Sequence, residues 1–182
     1  MTRIVAVSGS RRKGSTTRAA LRVALDAAGD AGAETELLDL GAVDLPLYHP
    51  DEDAQGDSDA LTRRIREADG VLAGTPVYRG SYSSTFKNFH DFCGSTEYEN
   101  TAVGVLATAG GGSYGGTLEH LRSTFRNVHA WTVPHEVGIE GASRVVETGD
   151  ADAGPRITDD ELRERTERLG RVVVEHAERL RG

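Results

Sequence analysis

Short apolar runs alternate with longer segments of helical periodicity along most of this chain, the pattern of βαβ units around a parallel sheet. Arg3–Ser8 (RIVAVS) reads as a first strand and Gly9–Gly14 as the loop after it. Ser15 or Thr16 can cap a helix whose Leu21, Ala24, Leu25 and Ala28 follow i, i+3, i+4, i+7 spacing, with Gly29 and Gly32 at its end. Glu34–Leu40 is a second strand. Leu61–Ala68 is a short helix, and Gly70–Thr75 (GVLAGT) is a third strand closed by Pro76. Ser83–Cys93 forms a helix crowded by Phe86, Phe89 and Phe92. Ala102–Thr108 (AVGVLAT) is a fourth strand, Thr117–Asn127 a helix, and Trp131–Ile139 holds a fifth strand. Thr158-Asp-Asp-Glu161 has the form of a capping box, opening a last helix with Leu162, Leu169, Val172, Val173 and Leu180 on one face.

Five strands with helices between them predict an α/β fold of flavodoxin type: a doubly wound parallel sheet in the order 2-1-3-4-5, helices on both faces. The whole of residues 1–182 is expected to form one domain, long enough to bury roughly 70% of the surface its unfolded chain exposes. Two stretches stand apart: the long acidic loop Gly41–Asp57, which holds Pro46, Tyr48 and Pro50, and a loop-like tail from Gly141 to Pro155.

Composition narrows the classes of function. The net charge of −8 argues against a nucleic-acid partner, since phosphate backbones demand a basic face. Only Lys13 and Lys87 are lysines among 21 basic residues. An acid-rich, lysine-poor surface suits a cytoplasm of high ionic strength, and a GC-rich genome would give the same arginine bias. The one cysteine, Cys93, permits no intrachain disulfide and fits a reducing, cytoplasmic compartment. No segment approaches the ~18 apolar residues of a membrane span.

In a sheet of this kind ligands sit at the carboxyl ends of the strands, and three of those ends carry distinctive loops. The first is Gly9-Ser10-Arg11-Arg12-Lys13-Gly14-Ser15-Thr16-Thr17, ahead of a helix whose amides and dipole favour an anion. Gly9 and Gly14 have Walker A spacing, but Ser15 follows where that motif needs lysine, so the loop suits a monophosphate. The second is Thr75–Tyr82, in which Pro76, Val77 and Tyr78 can wall a flat heteroaromatic ligand and the amides of Arg79 and Gly80 can face its heteroatoms. The third is Thr108–Gly116, where Gly110, Gly112 and Gly115 satisfy G-x-G-x-x-G. A dinucleotide-binding reading would take Glu136 as the distal acid. However, that motif belongs on the first strand, so the glycines are read instead as letting backbone approach a planar ligand closely. His135-Glu136 begins an H-E-x-x-H pattern that Ile139 breaks, no other metal spacing appears, and Cys93 reads as a core residue. No acid, base or nucleophile stands out, so a bound cofactor is expected to carry the chemistry.

At these loops the sequence resembles the NAD(P)H-dependent FMN reductases. Gly9, Ser10, Arg12, Gly14 and Ser15 match that family's G-S-x-R-x-G-S. Ala68-Asp69-Gly70, Thr75-Pro76-Val77-Tyr78 and Phe86-Lys87-Asn88 are similar to its A-D-G, T-P-x-Y and L-K-N signature. Ala109–Gly116 is similar to its ring-contacting loop, and Leu45-Pro46-Leu47-Tyr48 to its second-strand exit. The likeness covers most of residues 3–130. Val77-Tyr78-Arg79-Gly80 departs from the common Glu-Tyr-Asn-Gly toward the alkanesulfonate-associated reductases, and Gly141–Pro155 has no counterpart.

The resemblance implies FMN and NAD(P)H as cofactors, with the FMN phosphate on Ser10, Arg12, Ser15, Thr16 and Thr17. The flavin ring would lie between Pro76–Gly80 and the run Thr108, Ala109, Gly110 and Gly111, with Tyr78 beside it. Hydride would pass from NAD(P)H through the flavin to a small acceptor (free flavin, quinone, azo compound or metal oxyanion) with no catalytic side chain. It also implies a homodimer or homotetramer, for which the three phenylalanines offer a surface if they are not core. A flavodoxin-type electron carrier without NAD(P)H turnover and a non-flavin nucleotide-binding module remain open at this point.

Overall fold

The computed structural model describes residues 1–53, 55–149 and 154–182. Its central sheet runs β2-β1-β3-β4-β5, all pairings parallel: β1 is Arg3–Ser8, β2 Glu34–Asp39, β3 Gly70–Pro76, β4 Ala102–Thr108 and β5 Trp131–Thr132. A further short strand, β6 at Val137–Ile139, also pairs with β4. Four residues, 133–136, separate it from β5, and among them Pro134 has no N–H to give the ladder. The expected single fifth strand is therefore two: β5 faces Ala102–Val103 and β6 faces Leu106–Thr108.

Strand periodicity divides the core into two layers. On one face Ile4, Ala6, Leu72 and Leu106 pack beneath α1 (Thr16–Asp30) and the long C-terminal helix Asp160–Arg181, where Leu21, Ala24, Leu169 and Val173 are buried. On the other, Val5, Val7, Val71 and Val103 pack beneath α2 (Ser58–Arg66), α3 (Ser84–Asp91), a one-turn helix α4 (Ser95–Tyr98) and α5 (Gly115–Asn127). Every residue of β3 and β4 is buried, as expected of central strands covered on both sides.

Local chemistry sets the boundaries. Ser15 caps α1, its hydroxyl accepting the Arg18 amide at 3.1 Å. The last helix is capped by Asp159, whose carboxylate accepts from the Leu162 amide at 2.8 Å; Thr158 is not the cap, because its own amide bonds to the Val145 carbonyl. That bond belongs to a small element absent from the sequence reading: α6 (Ala142–Val145), then β7 (Val146–Glu147) antiparallel to β8 (Arg156–Ile157). The tail Gly141–Pro155 is thus partly ordered structure, and its residues 150–153 lie outside the described ones. The last helix becomes α7 in chain order. Phe86 and Phe89 are fully buried among Phe125, Tyr98 and His90. They are core residues and offer no association surface.

Candidate active site

The carboxyl ends of β1, β3 and β4 meet as expected, and hydrogen bonds fasten their loops to one another. Gly9 N–H donates to the Gly74 carbonyl at 2.8 Å, and Val77 N–H to the Thr108 carbonyl at 2.8 Å. Ser83, buried at the start of α3, donates its hydroxyl to the Gly9 carbonyl at 2.6 Å and accepts the Phe86 amide at 3.1 Å. Its own amide donates to the Thr75 hydroxyl at 2.9 Å. A Cβ at position 9 would come within 2.7 Å of the Phe86 Cβ, so glycine is what lets the first loop lie this close to α3. The loops are held by backbone and buried hydroxyls, which leaves their outward side free for a ligand.

That side is a cleft of about 280 Å³. Ser10, Arg12, Thr16 and Thr17 line it from the first loop. Pro76, Val77 and Tyr78 line it from the second, and Thr108, Ala109 and Gly110 from the third. Ten of the fourteen residues expected at the site therefore converge. Ser15 is buried behind the cleft as the α1 cap. Arg79 and Gly80 form the exposed tip of a two-residue hairpin closed by Tyr78 N–H to Ser81 O at 2.9 Å and Ser81 N–H to Tyr78 O at 3.1 Å. Both tip residues have positive φ, 53° and 78°, which suits a type I′ turn. Gly111 is exposed at the rim.

The phosphate-loop end has the chemistry of an anion site. The first-turn amides of a helix have no intrahelical acceptor. Ser15 takes that of Arg18, so those of Thr16 and Thr17 remain to face the cleft. Ser10 is buried beside them and its hydroxyl accepts the Arg12 amide at 3.4 Å. Arg18 is committed to Asp39 at 2.6 Å, whereas the Arg12 guanidinium has no protein partner among the described residues. At the opposite end, a Cβ on Gly110 or Gly111 would meet nothing within 4 Å, and Tyr78 is half exposed. The gap between these two walls is open where a flat ring would need it. These features fit a phosphate-bearing planar cofactor such as FMN.

Two lining residues escaped the sequence reading: Ala142 and Ser143, from α6. Gly141 in the left-handed region (φ 57°) just after an apolar strand was the one local signal of a turn there. Conversely, Glu136 is engaged by Arg122 at 2.6 Å and His135 by the Arg165 carbonyl at 2.8 Å, so neither serves the cleft as a nucleotide or metal ligand. Cys93 lies buried in the core, where desolvation pushes its thiol pKa up. None of the described residues of the long acidic loop lines the cleft, and α3 holds its middle in place. Asn88 of α3 accepts the Tyr48 amide and donates to the Pro46 carbonyl, at 2.9 and 2.8 Å, and buried Gln55 bonds the backbone of His49 and Glu52. Among the described residues, no helix is long and apolar enough to cross a membrane.

Comparison with known proteins bears on family and fold. The family profile described as NADPH-dependent FMN reductase matches residues 2–144. An NAD(P)H-dependent FMN reductase of Pseudomonas aeruginosa is 35% identical over 190 aligned positions, covering 99% of this chain and 97% of its own. An NADPH azoreductase of a Bacillus species is 33% identical over 163 positions, covering 86% and 87%. Among solved structures, the flavoenzyme NAD(P)H:acceptor oxidoreductase FerB of Paracoccus denitrificans superposes with a TM-score of 0.71 at 24% identity, covering 98% of each chain. RosB with bound 8-demethyl-8-formylriboflavin-5′-phosphate superposes at 0.82 and 15% identity, covering all of this chain and 81% of RosB. These two structural likenesses speak to the flavodoxin-like fold.

Proposed function

The chain belongs to the NADPH-dependent FMN reductase family, and from that premise we propose that the cleft between the three loops holds FMN, its phosphate at Ser10, Arg12, Thr16 and Thr17. The activity is that of a flavin-dependent NAD(P)H oxidoreductase. When bound, FMN would supply the redox chemistry between NAD(P)H and a second acceptor. The chain's own residues bind and orient. Arg12 and the Thr16 and Thr17 amides neutralise the phosphate, with Ser15 holding the helix start in place. Pro76, Val77 and Tyr78 face Thr108, Ala109 and Gly110 across the ring position, the rim at Arg79, Gly80 and Gly111 staying open for the nicotinamide. Proximity and stacking then suffice, and no side chain of the cleft is assigned as acid or base.

The observation that carries this reading is the convergence of three loops on one cleft with an anion-ready end and an open, glycine-walled end. Titration of the purified chain with FMN, followed by quenching of flavin fluorescence, tests it. One FMN per chain supports the reading, and no binding overturns it.

Similarity to both an FMN reductase and an azoreductase leads us to free flavin or azo compounds as acceptor classes. We further place the protein in the cytoplasm as a single-domain homodimer or homotetramer. With Cys93 as the single cysteine the chain can form no intrachain disulfide, which supports a reducing compartment.

A further inference from the structure

We propose that the hydroxyl of Ser143 hydrogen-bonds the ribityl chain of the bound flavin, making the start of α6 a fourth wall of the site. The inference rests on the FMN reading above and adds to it a contact outside the three loops.

The placement follows from how the segment 142–148 is tied at its two ends. Ala109, which borders the ring position, donates its amide to the Ile139 carbonyl at 2.8 Å and accepts the Ala142 amide at 2.9 Å. The chain is thus fixed to the third loop as it leaves β6, and left-handed Gly141 (φ 57°) turns it toward α1. Ala142 and Val146 are buried in the same core layer as Ala19 and Ala20 of α1, which holds the segment against that helix. At the far end, a Cβ on Gly14 would lie 4.0 Å from the Thr148 hydroxyl, so the segment finishes beside the phosphate loop. Of this segment Ala142 and Ser143 line the cleft, and Thr148 stands beside the phosphate loop.

Ser143 stands near the ring-side end of that segment and lines the cleft together with Thr17 and Thr108. The stretch between ring and phosphate is where a ribityl chain lies, and its hydroxyls need partners that both donate and accept. A serine hydroxyl does both. The Thr17 and Thr108 hydroxyls lie 2.5 Å apart and are partly taken up by each other, whereas the exposed Ser143 hydroxyl has no protein partner among the described residues.

Flavins of different length test the assignment. Dissociation constants for FMN, riboflavin and lumiflavin (which lacks the ribityl chain) are measured by fluorescence quenching on wild type, Ser143→Ala, Ser143→Thr and Arg12→Ala. Ser143→Ala is expected to weaken FMN and riboflavin by the same factor, about three- to tenfold, and to leave lumiflavin unchanged. Ser143→Thr, which keeps the hydroxyl, should restore binding, and Arg12→Ala should penalise FMN while sparing riboflavin. Unchanged FMN affinity in Ser143→Ala, or an equal loss with lumiflavin, overturns the ribityl contact alone when wild type binds FMN normally. A wild type that binds no flavin overturns the functional reading and this inference with it.

Discussion

The side-chain hydroxyls of Thr17 and Thr108 lie 2.5 Å apart in a buried contact that ties the first turn of α1 to the end of β4. It joins the anion end of the cleft to its ring end without using a charged group. Thr108→Val keeps the shape and strands the Thr17 hydroxyl in the core. The expected cost is about 1–3 kcal/mol, a fall of roughly 2–12 °C in the unfolding midpoint without flavin. Thr17→Val/Thr108→Val should be more stable than the sum of the single losses implies, because no polar group is then left alone. Strict additivity in calorimetry would mean the contact carries no coupling.

Among the described residues, Arg12 is the one charged side chain lining the cleft, and it is exposed and has no protein partner. Arg12→Ala should weaken FMN by ~1.5–3 kcal/mol, the scale of a hydrogen bond to a charged group, while the midpoint of unfolding without flavin stays within experimental error. Equal affinity in mutant and wild type would remove this loop from the site.

If the protein contributes position and the flavin contributes chemistry, Tyr78→Phe should keep flavin reduction by NAD(P)H within about tenfold, or ~1.4 kcal/mol of barrier. Gly111→Val should be far more damaging. Its Cβ enters space that no protein atom occupies, on the side where ring or nicotinamide belongs. A thousandfold loss in Tyr78→Phe at normal FMN content would instead implicate its hydroxyl as a proton donor.

His90 gives the fold a pH dependence of known sign. It is buried against Phe86, Tyr98 and Phe125, its Nδ1 has no partner among the described residues, and burial lowers its pKa, partly offset by the Thr124 backbone. The folded state thus takes up this proton at lower pH than the unfolded state. Stability is unaffected well above the unfolded histidine value of about 6.5 and is lost as pH falls through it, by at most about 1.4 kcal/mol per pH unit. His90→Phe should flatten the decline of the unfolding midpoint between roughly pH 7 and 5. An unchanged slope would assign the acid sensitivity to other groups.

Much of this architecture was legible in the sequence because the central strands are buried on both sides and the loops carry special residues. Apolar runs such as VLAGT and VGVLAT can only be interior strands, and Gly9, Gly14 and Pro76 mark chain turns where ligand and backbone meet. Local pattern could not reveal effects decided by tertiary competition. Pro134 splits the expected strand Trp131–Ile139 because neighbouring β4 demands ladder amides that it lacks. Thr158 loses the cap to Asp159 because its amide is already taken by Val145. Phe86 and Phe89 could be told from surface residues only once α5 was packed over them. Ala142 and Ser143 reach the cleft through a bond to Ala109 more than thirty positions earlier, with no motif to announce it.

The central claim is that this cleft binds FMN and that NAD(P)H reduces it there. Its most direct test is anaerobic stopped-flow mixing of FMN-loaded protein with NADPH and, separately, NADH, following the flavin absorbance. The account predicts full bleaching with at least one nucleotide, at a rate that saturates with its concentration. FMN that stays bound and oxidised in the presence of both nucleotides would make the protein an electron carrier and contradict the account.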